Sequence, residues 1–158
     1  MLISTKGRYA VRIMIDLAEN SDGGYVAMKN VADRQGISLK YIERIVPLLT
    51  KAGLIEGVHG KGGGYRLCRE PQYISVAEIV TAAEGSIAPV ACLVSGAKPC
   101  ERKNVCRTVK MWQGAYELLE NYFKGITIYD LMLKEDSDKG YIKSEIKKDT
   151  GGLNVWQL

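Results

Sequence analysis

Three stretches before residue 52 carry apolar residues at helical spacing. In the first, Ala10, Ile13, Met14, Leu17 and Ala18 form one stripe, and Ser4 or Thr5 stands where a cap is needed, so the pattern predicts a helix over 5–19. The polar run Asn20 to Gly24 ends it. A short helix follows from Lys29 to Arg34 with Val31 and Ala32 inward, and Gln35-Gly36-Ile37 then turns tightly around a left-handed glycine. Ser38 caps a third helix reaching Lys51, with Ile42, Ile45, Val46 and Leu49 on one face. Pro47 lies inside that run and predicts a kink or a register fault. Gly53 stops the helix.

Beyond residue 53 the pattern changes. Leu54–Val58 and Tyr65–Cys68 read as short strands, joined by HGKGGG into a hairpin that Pro71 ends. Ser75 caps a helix from Val76 to Glu84, and Gly85 closes it. Residues 86–104 show no period; Pro89, Gly96 and Pro99 mark a loop. From Val105 the apolar positions Val109, Trp112, Tyr116, Leu119, Phe123 and Ile126 step by four and three, a heptad seam. Met111, Ala115, Leu118 and Tyr122 run beside it, so one face can pack on the chain's own domain and the other on a second subunit. Thr127 caps a last helix, Ile128 to Lys134, and the charged, then Gly-rich tail 135–158 gives no clear register.

Helix, turn, capped helix and Gly-tipped hairpin, in that order, describe a winged helix-turn-helix. The fold class predicted is mainly α with a small β-hairpin wing and a long dimerisation helix. It divides into a winged helix-turn-helix at 1–85, a cysteine-bearing loop at 86–106, dimerisation and last helices at 107–134, and a tail at 135–158.

Composition narrows the setting. At 158 residues with 46% hydrophobic and 25% charged positions, the chain is long enough for a true core and is not disordered throughout. No apolar run reaches the ~18 residues of a membrane span, and the charged start MLISTKGRYAV does not suit a signal peptide, so the expected address is cytoplasmic. The net charge of +4 is unevenly placed. Residues 1–70 hold 11 Lys/Arg against 7 Asp/Glu, while 71–158 hold 11 of each. The excess lies on the winged half and suits a polyanion, although charge alone also describes an ordinary solvated surface.

The helix after the turn is the one that enters a major groove, N-terminal end first. Here that end is Ser38, Leu39, Lys40 and Tyr41, followed by Glu43 and Arg44. Ser38 and Tyr41 can donate to phosphates, and Lys40 and Arg44 reach phosphate or guanine. Glu43 is repelled by phosphate unless it accepts from a cytosine amine, which would select sequence. The loop His59-Gly60-Lys61-Gly62-Gly63-Gly64 fails the nucleotide-binding patterns and lies between strands. As a wing tip, Gly62 and Gly63 let backbone approach a minor groove while His59, Lys61 and Arg66 contact DNA. Ser4, Lys6 and Arg8 at the head of the first helix complete the expected DNA contacts. No catalytic pair, triad or cofactor loop is present, so no enzyme is expected.

Cys92, Cys100 and Cys106 fall within fifteen residues, with seven and five residues between them. That is neither a zinc-ribbon nor a ferredoxin spacing. Thiols in a broken loop beside Lys98, Arg102, Lys103 and Arg107 suit soft-metal or cluster binding, with reactive thiols and plain core packing as the alternatives. Cys68, alone among apolar neighbours, reads as small core packing.

ISTKGRYAVRIMIDLA, ISLKYIERIVPLL, GLIEGVHGKGGGYRL, the three-cysteine loop and ITIYDL together resemble the Rrf2 family of winged-helix regulators over about residues 1–135. The start STKGRYAV is similar to its IscR-like and CymR-like branches rather than the NsrR-like one. The resemblance implies a transcription regulator, of repressor type, that binds double-stranded DNA at a pseudo-palindromic operator as a homodimer. It implies a dimer seam along Val105, Val109, Trp112, Tyr116, Leu119 and Phe123. It also implies an iron–sulfur cluster on Cys92, Cys100 and Cys106, [2Fe–2S] in preference to [4Fe–4S], sensing cluster status, redox or nitric oxide. CymR-like members lack the cluster ligands; on that alternative the thiols or a partner protein carry the signal. Where IscR-like chains have histidine three residues after the third cysteine, this chain has Val109, and where some NsrR-like members offer aspartate it has Arg8. The fourth ligand is then Glu101, Asn104, a partner-chain residue or solvent.

Overall fold

Ile13, Met14 and Leu17 of the first helix stack on Ile42, Ile45 and Leu49 of the third, and all six are withdrawn from solvent. Around this contact the computed structural model describes residues 3–132. Helix α1 spans Thr5–Asn20, α2 Met28–Gln35 and α3 Leu39–Lys51. Strands β1 (Ile55–Val58) and β2 (Gly64–Leu67) follow, then α4 (Val76–Glu84), α5 (Val109–Lys124) and α6 (Ile128–Met132). The described residues are mainly helical with one antiparallel hairpin. The predicted end of the last helix at Lys134 and the tail 135–158 lie outside the described residues.

Local chemistry explains the boundaries. Ser4 caps α1 by accepting from the Lys6 amide. Gly36, at φ 62°, closes α2 in the left-handed conformation and starts the turn. Ser38 occupies the N-cap of α3, but its hydroxyl makes no capping bond; its carbonyl accepts from the amides of Tyr41 and Ile42 instead. Pro47 does not interrupt α3, which is helical from Leu39 to Lys51. The proline is exposed and so is Glu43, four residues back, whose carbonyl loses its helical donor on a face where water can replace it.

The hairpin pairs Ile55 with Leu67 and Val58 with Gly64. Val26 and Tyr65 exchange two backbone hydrogen bonds of 2.9 Å, so the segment between α1 and α2 forms a third rung beside the wing. This rung tolerates only glycine next to Tyr65: a Cβ at Gly64 would lie 2.4 Å from the Val26 carbonyl oxygen. At the far end of the chain, Thr127 and Asp130 cap α6 reciprocally, Val76 donates to the Ile126 carbonyl, and Ile128 is fully buried in the main core. Helix α6 is thereby built into the same core as the winged half.

Candidate nucleic-acid interface and cysteine cavity

The head of α3 is open. Ser38, Leu39, Lys40, Glu43 and Arg44 are exposed, while Ile42, Ile45, Val46 and Leu49 anchor the opposite face. Tyr41 is less free than the sequence implies. It is half-buried and meets the Tyr9 ring edge-on, with centroids 5.5 Å apart. Arg12 lies over the other aromatic of the pair, 5.4 Å from the Tyr9 centroid, and donates to Gln35 Oε1 at 3.1 Å and also to the Gln35 carbonyl. Tyr41 is therefore held against α1 rather than standing free on the face of α3.

The other expected DNA contacts lie on two further elements. Arg8 is exposed at the head of α1, with Ser4 and Lys6 half-buried. At the wing tip His59, Lys61 and Gly62 are exposed, and Gly63 is half-buried. Gly62 takes φ 80°, whereas Gly63 is demanded by packing, since a Cβ there would lie 2.2 Å from the Val58 carbonyl oxygen. Arg66 is already engaged. It pairs with Glu56 at 2.7 Å and lies over the Tyr25 ring, 4.8 Å from its centroid. The Glu56 hydrogen bond and the Tyr25 and Glu56 charges hold its guanidinium even more firmly protonated than usual.

Cys68 corrects its sequence reading. It is exposed at the end of β2, tied to the core only through its amide, which donates to the Leu54 carbonyl. Partial burial, then Glu56, push its thiol up. Val105 is likewise displaced. It lies in a 3₁₀ turn, Lys103–Val105, before α5 begins, and it is 71% exposed. The heptad spacing continues through it, but the backbone is not helical there. Along α5 the predicted seam divides: Tyr116 and Phe123, expected against a partner, pack on Val76, Val80 and Ile87 of the same chain, while Trp112, and Met111 and Leu118 of the neighbouring row, stay exposed.

Cys92, Cys100 and Cys106 line one cavity of about 570 Å³ between the loop and α5. Its helical wall is Val109, Gln113, Tyr116, Glu117 and Glu120. Glu101 and Asn104 are exposed and do not line it. The two acids on the wall, Glu117 and Glu120, recur at the helical period from Val109 and could have been found by it. Gln113 donates to Glu117 at 3.0 Å, and Glu120 pairs with Lys124 at 3.2 Å. The Cys106 thiol lies 3.5 Å from the Thr108 hydroxyl; hydrogen bonding from Thr108, then from the Val109 amide, with the Arg102 charge, pulls its pKa down. Among the described residues no three His, Cys, Asp or Glu side chains converge as a single metal ion requires. Three thiols around the wall of one cavity instead fit a group spread over more than one iron, which thiolates favour.

The comparisons agree with this architecture. A family model described as Rrf2, iron-dependent transcriptional regulator, matches residues 3–134. The transcriptional regulator IscR of Yersinia pseudotuberculosis is 36% identical over 136 residues, covering 86% of this chain and 82% of the relative. Among solved structures, CymR of B. subtilis, titled the global cysteine regulator, is 32% identical with a TM-score of 0.68, covering 86% of this chain and 99% of that one. T. potens IscR is 31% identical with a TM-score of 0.66, covering 93% and 96%.

Proposed function

This chain belongs to the Rrf2 family of transcription regulators and is not an enzyme, and on that premise we propose that it is an IscR-like, DNA-binding repressor whose three cysteines hold an iron–sulfur cluster. The observation that carries the reading is the gathering of Cys92, Cys100 and Cys106 around one cavity beside the helix that leaves the winged half. A bound cluster would supply a centre sensitive to redox state and ligand exchange. [2Fe–2S] is favoured over [4Fe–4S].

The chain's own residues do the rest. The head of α3 enters a major groove, with Ser38, Lys40 and Arg44 on phosphates or guanine, Leu39 and Tyr41 packing at the groove, and Glu43 selecting against bases that offer no amine. His59, Lys61, Gly62 and Gly63 follow the backbone at the wing. A second copy docks on the outer face of α5, where Met111, Trp112 and Leu118 are exposed, with Leu119 beside them. Two recognition helices then meet a pseudo-palindromic operator with half-sites about 34 Å apart. The described helices include none long and apolar enough to cross a membrane.

A CymR-like reading is supported by the likeness to CymR of B. subtilis and by the lowered pKa of Cys106. On it, the thiols respond directly or a partner protein binds. Iron and acid-labile sulfide measured on anaerobically purified protein separate the two readings, and a footprint of loaded and metal-free protein on its own promoter tests the regulator. Iron-free protein from a strictly anaerobic preparation would sink the cluster. DNA affinity that is flat between 50 and 200 mM salt would sink the DNA face, since ~6–10 phosphate contacts cost ~10³-fold or more over that range.

A further inference from the structure

Glu84 ends α4, eighty positions from Ser4, yet one of its carboxylate oxygens gathers three donors at the head of α1. The Ser4 amide donates to Oε1 at 3.1 Å, the Ser4 hydroxyl at 2.6 Å and the Gly7 amide at 2.9 Å. Ser4 Oγ in turn accepts from the Lys6 amide at 3.1 Å, and the Arg8 amide returns to the Ser4 carbonyl at 3.2 Å. The first-turn amides of Lys6, Gly7 and Arg8 are thus satisfied inside the protein, by the Ser4 hydroxyl, the Glu84 carboxylate and the Ser4 carbonyl in turn. Position 7 is shaped to admit the carboxylate: a Cβ on Gly7 would lie 2.5 Å from Glu84 Oε1. The Ser4 hydroxyl proton is committed to Glu84, so Ser4 does not meet DNA as an independent donor. Lys6 and Arg8 project from the turn so fixed, and Arg8 is further steadied by donating to Thr5 Oγ1 at 3.1 Å.

We infer that Glu84 is a positioning residue for DNA binding, fixing the first turn of α1 so that Lys6 and Arg8 meet backbone phosphates. It does so from the last residue of the helix that leads into the cysteine loop, which begins at Gly85, φ 84°. The inference rests on the DNA-binding reading and sharpens it. Helix termini held by a remote carboxylate combine the capping bond with a favourable charge at the positive end of the helix dipole.

The test compares Glu84→Gln with Glu84→Ala in the full chain, titrating each on a mixed-sequence DNA duplex at several salt concentrations, with circular dichroism to score the folded fraction. A single oxygen takes all three bonds, so glutamine keeps the acceptor and removes only the charge, which favours the helix end weakly and repels phosphate. It should bind as well as wild type or better. Alanine removes the acceptor too, and should bind about tenfold more weakly than the glutamine protein, with a salt slope shallower by about one per protomer. A general loss of stability would lower the folded fraction without changing that slope. Gly7→Ala offers a second route, because it displaces the carboxylate while leaving it present. It should reproduce the shallower slope, and combining it with Glu84→Ala should add little. Equal affinities and slopes for the alanine and glutamine proteins would overturn the inference. Wild-type protein that binds no duplex at any salt would overturn the DNA reading itself, a separate result.

Discussion

Asp16 and Arg34 form a two-pronged pair that joins α1 to α2: Arg34 Nε lies 3.2 and 3.1 Å from the two carboxylate oxygens, and a terminal nitrogen lies 2.6 Å from one of them. Gln35 adds a fourth bond at 2.8 Å. Asp16 is 1% exposed, whereas the Arg34 side chain keeps 37% of its surface in water. The pair is therefore unequal. Arg34→Ala strands a buried carboxylate and should cost ~3 kcal/mol or more. Asp16→Ala leaves a guanidinium that water can reach, so its cost should be smaller, about 1–2 kcal/mol. Urea denaturation of both variants checks the order; equal losses would place the strain elsewhere.

Ser75 and Glu78 cap α4 reciprocally, and Arg69 donates to the same glutamate at 2.6 Å. Burial alone would push the Glu78 carboxyl up, but the Ser75 amide and hydroxyl and the Arg69 guanidinium together hold it below its ordinary value. The stabilisation is thus present above the usual glutamate range and is lost as pH falls through the lowered value. Both partners are 42% exposed, so solvent limits it to a few tenths of a kcal/mol. Glu78→Gln should flatten the acid limb of a pH-dependent melting series by that much, and an unchanged limb would show that the cap does not titrate with folding.

Leu118 is 59% exposed on the outer face of α5 and Met111 56%. A glutamate at Leu118 in an apolar dimer seam would be buried without a partner. Sedimentation should show Leu118→Glu as a monomer while its circular dichroism stays that of wild type, because the residue supports no contact in its own core. An unchanged dimer would move the interface to another face.

Protein prepared anaerobically with ample iron should be coloured, and each of Cys92→Ala, Cys100→Ala and Cys106→Ala should be colourless. Two remaining thiolates cannot hold the irons against water and chelators. Cys68→Ala should keep its colour, as that thiol is absent from the cysteine cavity's wall. Val109 lines the cavity one helical turn before Gln113; a histidine there should slow bleaching by oxygen or chelator, read from the visible absorbance.

Local patterns were the legible part of this chain. The stripe Ile42, Ile45, Val46 and Leu49 buries as its spacing predicts, and Ser75 and Gly85 bound their helix. These depend on contacts within a turn or two of helix. What the pattern could not carry was set by distant neighbours. The rung between Val26 and Tyr65 and the Glu84 contacts at Ser4 and Gly7 join segments dozens of residues apart. Apolar flanks made Cys68 look interior, but it falls past the last paired residue of β2. Val105 fits a seven-residue repeat that the backbone abandons before Thr108. The division of α5, with Tyr116 and Phe123 turned to the chain's own core, depends on where α4 lies.

The stretch from Ser86 to Thr108 buries one residue, Ile87, and the described backbone hydrogen bonds within it, such as Leu93 to Val90 and Lys103 to Cys100, span three residues each. Such a segment has little cohesion of its own, and it is expected to open more readily than the helical core. Its amides should exchange with deuterium at close to free-peptide rates in metal-free protein while those of α1 and α3 stay protected. Anything that bridges the three cysteines would act as that segment's missing interior. The loop would then count iron by whether it is folded, at a threshold tuned by residues 86–108 independently of the DNA-reading face.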